Sequence, residues 1–250
     1  MILEADLRTM YVNAVLGDGR IHVNKNGSVR LCYYSTSKQL LDFKESVLNR
    51  EGHKFSVRGT QRSGYGSDTI IYNASTAGIS ELANIHKEDI SEIIEELTEI
   101  DLFLWYIDDG SWHISRNTMH LYSNSLNFEE SKILIKRIGE VVGIEPRLRV
   151  DKKADGREFY YLYFPRALVK EVRVRWLEWC KDLKLIDYFY KFGGLDYKDP
   201  KETYFTDSEV RKIRKMNETG YTGKEISEIL GYKPSRIYRI LSGETYKDVI

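Results

Sequence analysis

Tyr11-Val12-Asn13-Ala14-Val15-Leu16-Gly17-Asp18-Gly19 and Leu102-Phe103-Leu104-Trp105-Tyr106-Ile107-Asp108-Asp109-Gly110 decide how this chain folds. Each is an apolar run that stops at an acid followed by glycine. Leu3, Leu7, Met10, Ala14 and Val15 recur at helical spacing, so residues 3–16 predict a helix that Gly17-Asp18-Gly19 ends. Residues 89–107 predict one helical stretch, or two separated near Thr98, stopping at Asp108-Asp109-Gly110. An aspartate at a helix C-terminus faces the negative end of the macrodipole and is disfavoured there. Two such acids at matching points ask for a cation, and Mg²⁺ takes one or two carboxylates together with waters and substrate phosphates.

The segments that follow each run repeat. After Asp18 come a hairpin signal at Asn26-Gly27, an alternating strand at 28–35, a helix at 37–50 and strands at 54–60 and 68–74 around a Gly- and Ser-rich loop, 62–67. After Asp109 come strands near 111–115 and 118–124, a helix at 129–142, strands at 146–152 and 158–164 around Asp155-Gly156, and a helix at 166–187. Asp18 and Asp109 are 91 residues apart, about one unit. Two copies of that length suggest a pseudo-twofold domain and not a solenoid. Residues 193–205 have linker chemistry. Capping boxes at Thr206-x-x-Glu209 and Thr222-x-x-Glu225, with Pro234 opening a third helix, predict a small all-α unit over 206–250. So short a unit is expected to have little core of its own and to gain order on its partner.

Composition narrows the function. The 250 residues are 42% hydrophobic and 30% charged, and 38 basic side chains balance 38 acidic ones. Mean hydropathy is −0.46, with no apolar run long enough for a membrane span. Glu4 and Asp6 at the start, and only Cys32 and Cys180 as thiols, point to a cytoplasmic, reducing setting. The zero net charge hides an asymmetry. Residues 81–101 carry eight acids and one base, which leaves 37 bases against 30 acids elsewhere. These acids read as one solvated helix face or as part of a mixed surface. His22, His113 and His120 fit no zinc spacing.

The two opening stretches resemble the signature motifs of LAGLIDADG homing endonucleases, the second in the form of the single-chain group, over about residues 1–195. The resemblance implies an α+β fold of two pseudo-symmetric αββαββα repeats, residues 1–92 and 93–195, with 196–205 as linker. It implies a monomer whose motif helices lie side by side, with one curved sheet per repeat forming a saddle on double-stranded DNA. Asp18 and Asp109 would hold Mg²⁺, with Mn²⁺ as substitute, at the scissile phosphates. Gly17 and Asp108 belong to the same expected metal surroundings, Asp108 in support. Lys191, in Tyr188-Phe189-Tyr190-Lys191-Phe192-Gly193, resembles the family's second-half lysine, and Lys87 the first-half one. Asn13, Phe103 and Leu104 depart from the small residues the family prefers where motif helices touch.

Arginine-bearing strand faces are the candidate DNA surface. Arg147 and Arg149 alternate with Leu148 and Val150, and Lys152 ends that strand. Arg30 shares a face with Ser28 and Tyr34, while Arg58, Gln61 and Arg62 lie near another strand end. Such groups can bond guanine and adenine edges in a major groove. In residues 222–241, Ile226, small Ser227, Leu230-Gly231-Tyr232, Ile237 and Ile240 resemble a helix-turn-helix. Its third helix would offer Lys233, Ser235, Arg236, Tyr238 and Arg239 to DNA. The expected function is a site-specific DNA endonuclease of the intron-homing kind. A DNA-binding regulator without catalysis, and a maturase acting on its own intron RNA, are the rivals.

Overall fold

A computed structural model describes residues 5–61, 70–113, 116–152, 156–193, 205 and 207–246. The first motif forms α1 (Leu7–Leu16) and the second α5 (Glu99–Asp109). α1 begins at Leu7 and not at residue 3, because the Asp6 carboxylate accepts from the Thr9 amide at 2.8 Å and caps the helix there. α5 begins behind Thr98, which forms a capping box with Asp101, and α4 (Ile90–Glu95) precedes it. Apart from half-buried Val15, every residue from Thr9 to Leu16 is buried, as is every residue from Ile100 to Ile107. Helices covered on all sides belong at the centre of a fold, and these two pack on each other.

Each motif helix runs into a four-stranded antiparallel sheet. β1 (Gly19–Val23), β2 (Val29–Ser35), β3 (Phe55–Gln61) and β4 (Ile70–Thr76) are ordered β1-β2-β4-β3. β5 (Gly110–His113), β6 (Thr118–Tyr122), β7 (Arg147–Lys152) and β8 (Glu158–Phe164) are ordered β5-β6-β8-β7, the same topology. α2 (Lys38–Arg50) and α6 (Phe128–Val142) occupy the matching place between the second and third strands. Val29, Leu31 and Tyr33 of β2, and Met119, Leu121, Leu162 and Phe164 of β6 and β8, face the shared core.

The repeats diverge after their fourth strand. The first continues in short α3 (Leu82–Ile85) and in α4, which packs on α6, so a join at 92/93 would cut a helix. The second continues in α7 (Arg166–Asp182) and a 3-10 segment, Ile186–Phe192. The single helix expected over 166–187 is broken because Lys184 takes the left-handed region at φ 58°. Phe103 stands against Trp176 and Trp179, with ring centres 6.0 and 5.4 Å away, so its bulk is spent on α7 and not on α1.

Two expectations are corrected. The acids of 81–101 do not form one solvated face. Asp89 and Asp101 cap helices, Glu88 and Glu96 pair with Arg8, and Glu99 accepts from Arg175 and Trp176. Ser28 is buried in the β1–β2 turn between Asn24 and Asn26, which leaves Arg30, Cys32 and Tyr34 as the outward residues of β2.

By its internal contacts the chain divides into two compact units, Met1–Tyr197 and Lys198–Ile250. In the second, α8 (Asp207–Glu218), α9 (Gly223–Leu230) and α10 (Pro234–Leu241) enclose Phe205, Val210, Ile213, Ile226, Ile237 and Ile240, all buried. Ser227 donates to the Tyr232 carbonyl at the turn, and Gly231 takes φ 70°. The unit therefore has a core of its own, contrary to the expectation from its length. Arg62 and its loop, Asp155, residues 194–204, Thr206 and Lys247 to Val249 lie outside the described residues. Among the described residues no helix is long and apolar enough to cross a membrane.

Candidate active site

Because α1 and α5 pack together and both stop at an acid, their C-terminal ends bring three carboxylates to one place. The Asp18 backbone amide donates to Asp108 Oδ2 at 3.3 Å, which ties the first motif to the second. The Asn13 side-chain amide donates to the same oxygen at 2.9 Å, and Lys44 Nζ stands 3.6 Å from it. A Cβ on Gly17 would overlap that oxygen, so glycine is what lets the Asp108 carboxylate in. Asn13 thus departs from a small residue for a reason: it is the partner of Asp108 across the helix pair. The Asp108 carboxylate, only 2% exposed, is a brace.

Asp18 stands exposed at the rim and Asp109 is half-buried. Surrounding protein and the neighbouring Asp108 push Asp18 above the usual carboxylate range, against the pull of Lys44 and Lys191. Burial first, then the charges of Asp18 and Asp108, push Asp109 up to about 7. The Trp105 indole donates to Asp109 at 3.1 Å and works the other way.

Two buried ammonium groups answer the acids. Lys191 Nζ donates to the Asp108 carbonyl at 2.7 Å, while the Lys191 carbonyl accepts from Tyr106 at 2.6 Å. Burial lowers its pKa and the three aspartates oppose that shift. Lys44, 1% exposed, lies with Nζ 4.1 Å from the centre of the Tyr33 ring, and burial likewise lowers its pKa. The sequence reading missed Lys44 because α2 shows nothing but an amphipathic pattern. Lys87 is exposed in the turn after α3, and it is not among the charges that shift Asp18 or Asp109. In the first repeat the lysine whose charge acts on Asp18 is Lys44, carried by α2.

The segment carrying Lys191 is fastened to the first repeat. Ser37 donates to Asp187 at 2.8 Å, the Asp187 amide donates to Gln39 at 3.1 Å, and Tyr188 and Ser35 hydroxyls are 3.2 Å apart. An open cleft of about 510 Å³ results, lined by Asp18, Arg20, Tyr34, Tyr188, Tyr190 and Lys191 among others. Tyr190, 65% exposed, stands at its edge beside Tyr188. Neither Tyr190 nor Arg20 carried any signal in the sequence.

The expected DNA-facing residues are widely spaced. Arg30, Arg58, Arg147 and Arg149 are exposed on outward sheet faces. Lys152 is exposed but paired with Glu158 at 2.6 Å. Gln61 ends β3. In the second unit Lys233, Ser235 and Tyr238 are exposed along α10. Arg239 is paired with Glu244 at 2.7 Å, and Arg236 lies 4.9 Å from the centre of the Phe205 ring, so both have partners within the unit.

The model of the LAGLIDADG DNA endonuclease family matches residues 8–171. Among solved structures the chain is similar to the homing endonuclease I-WcaI bound to its DNA recognition sequence, at 18% identity and a TM-score of 0.55, over 74% of this chain and 84% of that one. Full-length DUF199/WhiA from Thermatoga maritima matches at 12% identity and a TM-score of 0.44, over 96% and 91%. Mesophilic variants of the homing endonuclease I-DmoI match at 12% and 0.43, over 68% and 92%. A search of curated protein sequences finds no match. These structural likenesses are of fold; the family match spans both motifs, both sheets and the acids between them, and the chain belongs to the LAGLIDADG DNA endonuclease family.

Proposed function

We propose that the chain is a site-specific double-strand DNA endonuclease of the homing kind, hydrolysing phosphodiester bonds with Asp18 and Asp109 as holders of Mg²⁺, or of Mn²⁺ in its place. The observation that carries this reading is the meeting of the two motif-helix C-termini, tied by the Asp18 amide on Asp108, which puts Asp18 and Asp109 close enough to act on each other's charge. A protein that only binds a polyanion gains nothing from acids at such a point. A divalent ion suits the donors, which are hard oxygens whose mutual repulsion it would relieve. Gly17 and Asp108 adjoin the two holders. When bound, the ion polarises a phosphoryl oxygen and lowers the pKa of a water.

The chain's own groups do the rest. Lys191, fixed on the Asp108 carbonyl, sets a positive charge at the cleft, where it offsets the charge that grows on the phosphate. Lys44 supports the cluster from below through Asp108. Arg20, Arg30, Arg58, Arg147 and Arg149 face the major groove from the two sheets. Both acids come from one chain, so a monomer suffices. The second unit acts as a helix-turn-helix on flanking DNA, with Lys233, Ser235 and Tyr238 nearest the groove. Arg236 and Arg239 serve there mainly by holding α10 in shape.

The test is cleavage of a randomised duplex library by the purified protein with Mg²⁺ and with a chelator. Metal-dependent cutting of a defined sequence is the expected result. Selective binding of that sequence without cutting under any metal would replace the nuclease by a regulator, and processing of intron RNA alone would replace it by a maturase.

A further inference from the structure

The two sheets present different chemistry on their outward faces. In the first, cross-strand pairing makes a line of Tyr34, Asn73 and Arg58, a pair of His22 and Arg30, and a line starting at Arg20 and passing through Cys32. The last line continues through Ser75 and Ser56, so three arginines, an amide and two hydroxyls outnumber the two rings, Tyr34 and His22. In the second, one line runs Ser111, His120, Tyr163, Arg147, and the next runs Tyr122, Tyr161, Arg149. On its two central strands every outward side chain in these lines is a ring.

These rings form one connected layer, in which His120 is buried and Tyr122, Tyr161 and Tyr163 are the more accessible members. His113 and His120 have ring centres 4.0 Å apart, His120 lies 5.1 Å from Tyr161 and 5.5 Å from Tyr163, and Tyr122 lies 5.7 Å from Tyr161. Arg149 is itself 5.4 Å from the centre of the Tyr163 ring. Burial and the neighbouring His113 lower the pKa of His120 to about 4, so its ring is neutral at physiological pH. These rings cannot make the two-pronged donation by which arginine selects guanine. Besides the single hydroxyl of each tyrosine, they offer apolar contact, which in a major groove is found at the thymine 5-methyl group.

We infer that the central strands β6 and β8 read the base pairs beneath them through ring contacts with thymine methyl groups, with Arg147 and Arg149 on the neighbouring edge strand, while the β1–β4 sheet reads the other half chiefly through arginine and amide hydrogen bonds. This rests on the proposed DNA-binding reading and adds the base class that one half-site must contain. The half-site beneath Tyr122, Tyr161 and Tyr163 is rich in A·T pairs.

The test uses the full chain and a duplex selected from a random library, in a chelator so that binding alone is read. Thymines are replaced by deoxyuridine, which lacks only the methyl group, in one half-site at a time. The expected result is about a fourfold loss of affinity per methyl removed in one half, the value of one buried carbon, and no change in the other. Tyr161→Ala with Tyr163→Ala should abolish that sensitivity. Tyr161→Phe with Tyr163→Phe, which keeps the rings and the fold, should retain it. Indifference to deoxyuridine in both halves, or sensitivity that survives the alanine pair or vanishes in the phenylalanine pair, overturns the inference while leaving DNA recognition standing. If the library yields no preferred duplex at all, DNA recognition itself falls, and the inference with it.

Discussion

Asn13 Nδ2 donates to Asp108 Oδ2 across the interface of the two motif helices, at 2.9 Å. That bond joins residues 95 apart in the chain and fixes the axial register in which α1 and α5 meet. The Asp18 amide and Lys44 approach the same oxygen, so the register of the helices and the placing of the acids are one constraint.

The acids should be indispensable to cutting and dispensable to binding. Asp18→Asn and Asp109→Asn should each lower the single-turnover cleavage rate by at least about a thousandfold, the scale of losing metal-assisted charge stabilisation. Affinity for the target in a chelator should hold or rise. Full cutting by both variants excludes the assignment.

Gly17→Ala should be costly although it adds one methyl group. The new Cβ overlaps Asp108 Oδ2 and crowds Asn13, so overpacking should remove about 1–3 kcal/mol of stability. Urea unfolding measures the loss, and cleavage should fall with it because Asp108 must move. A variant with unaltered unfolding midpoint would show that the helices part easily.

Lys44 and Asp108 should behave as a coupled buried pair. Lys44→Met strands the carboxylate and should cost about 3–5 kcal/mol. Lys44→Met combined with Asp108→Asn should recover a large part of that. A double-mutant cycle in urea reads the coupling, and purely additive losses would argue against the pair.

Asp109 makes stability depend on pH in a direction opposite to the usual acid. Its pKa is about 7 in the folded chain against about 3.9 for an ordinary aspartate, so between these the folded state holds the extra proton. The metal-free protein should therefore lose stability as pH rises from about 4 to about 7, where the contribution disappears. Asp109→Asn should flatten that part of the curve, and Mg²⁺ should stabilise the wild type more at pH 8 than at pH 6. Thermal unfolding across this range is the measurement.

Removing residues 206–250 should weaken DNA binding and flatten its dependence on salt, since fewer phosphates are then neutralised. The remaining chain should stay folded, because the two units have separate cores. An unchanged salt slope would count against a DNA-binding role for the second unit.

What could be read in the sequence was whatever depends on local pattern. The motif helices, the paired strands, the break at Thr98 and the capping box at Thr222 all follow from spacing and from side chains acting within a few residues. Errors arose where local pattern competes with a distant or backbone-specific effect. α7 stops at Asp182 because of one left-handed residue, and the acids of 81–101 scatter to caps and ion pairs made with remote arginines. Lys87 is near the second motif only in sequence, whereas the lysines at the acids come from α2 and from the segment after α7.

By itself, then, the sequence determined that two apolar helices would each end in an acid and run into a sheet, because helix periodicity and glycine stops are properties of neighbouring residues. Only the tertiary structure decided that Lys44 lies beneath Asp108, that Asn13 is the partner of Asp108, that the Lys191 segment is fastened to Ser35, Ser37 and Gln39, and that the central strands of one sheet gather their rings into one layer. Those are contacts between segments far apart in the chain. Their distances are set by how buried helices and strands pack, which no local pattern of residues encodes.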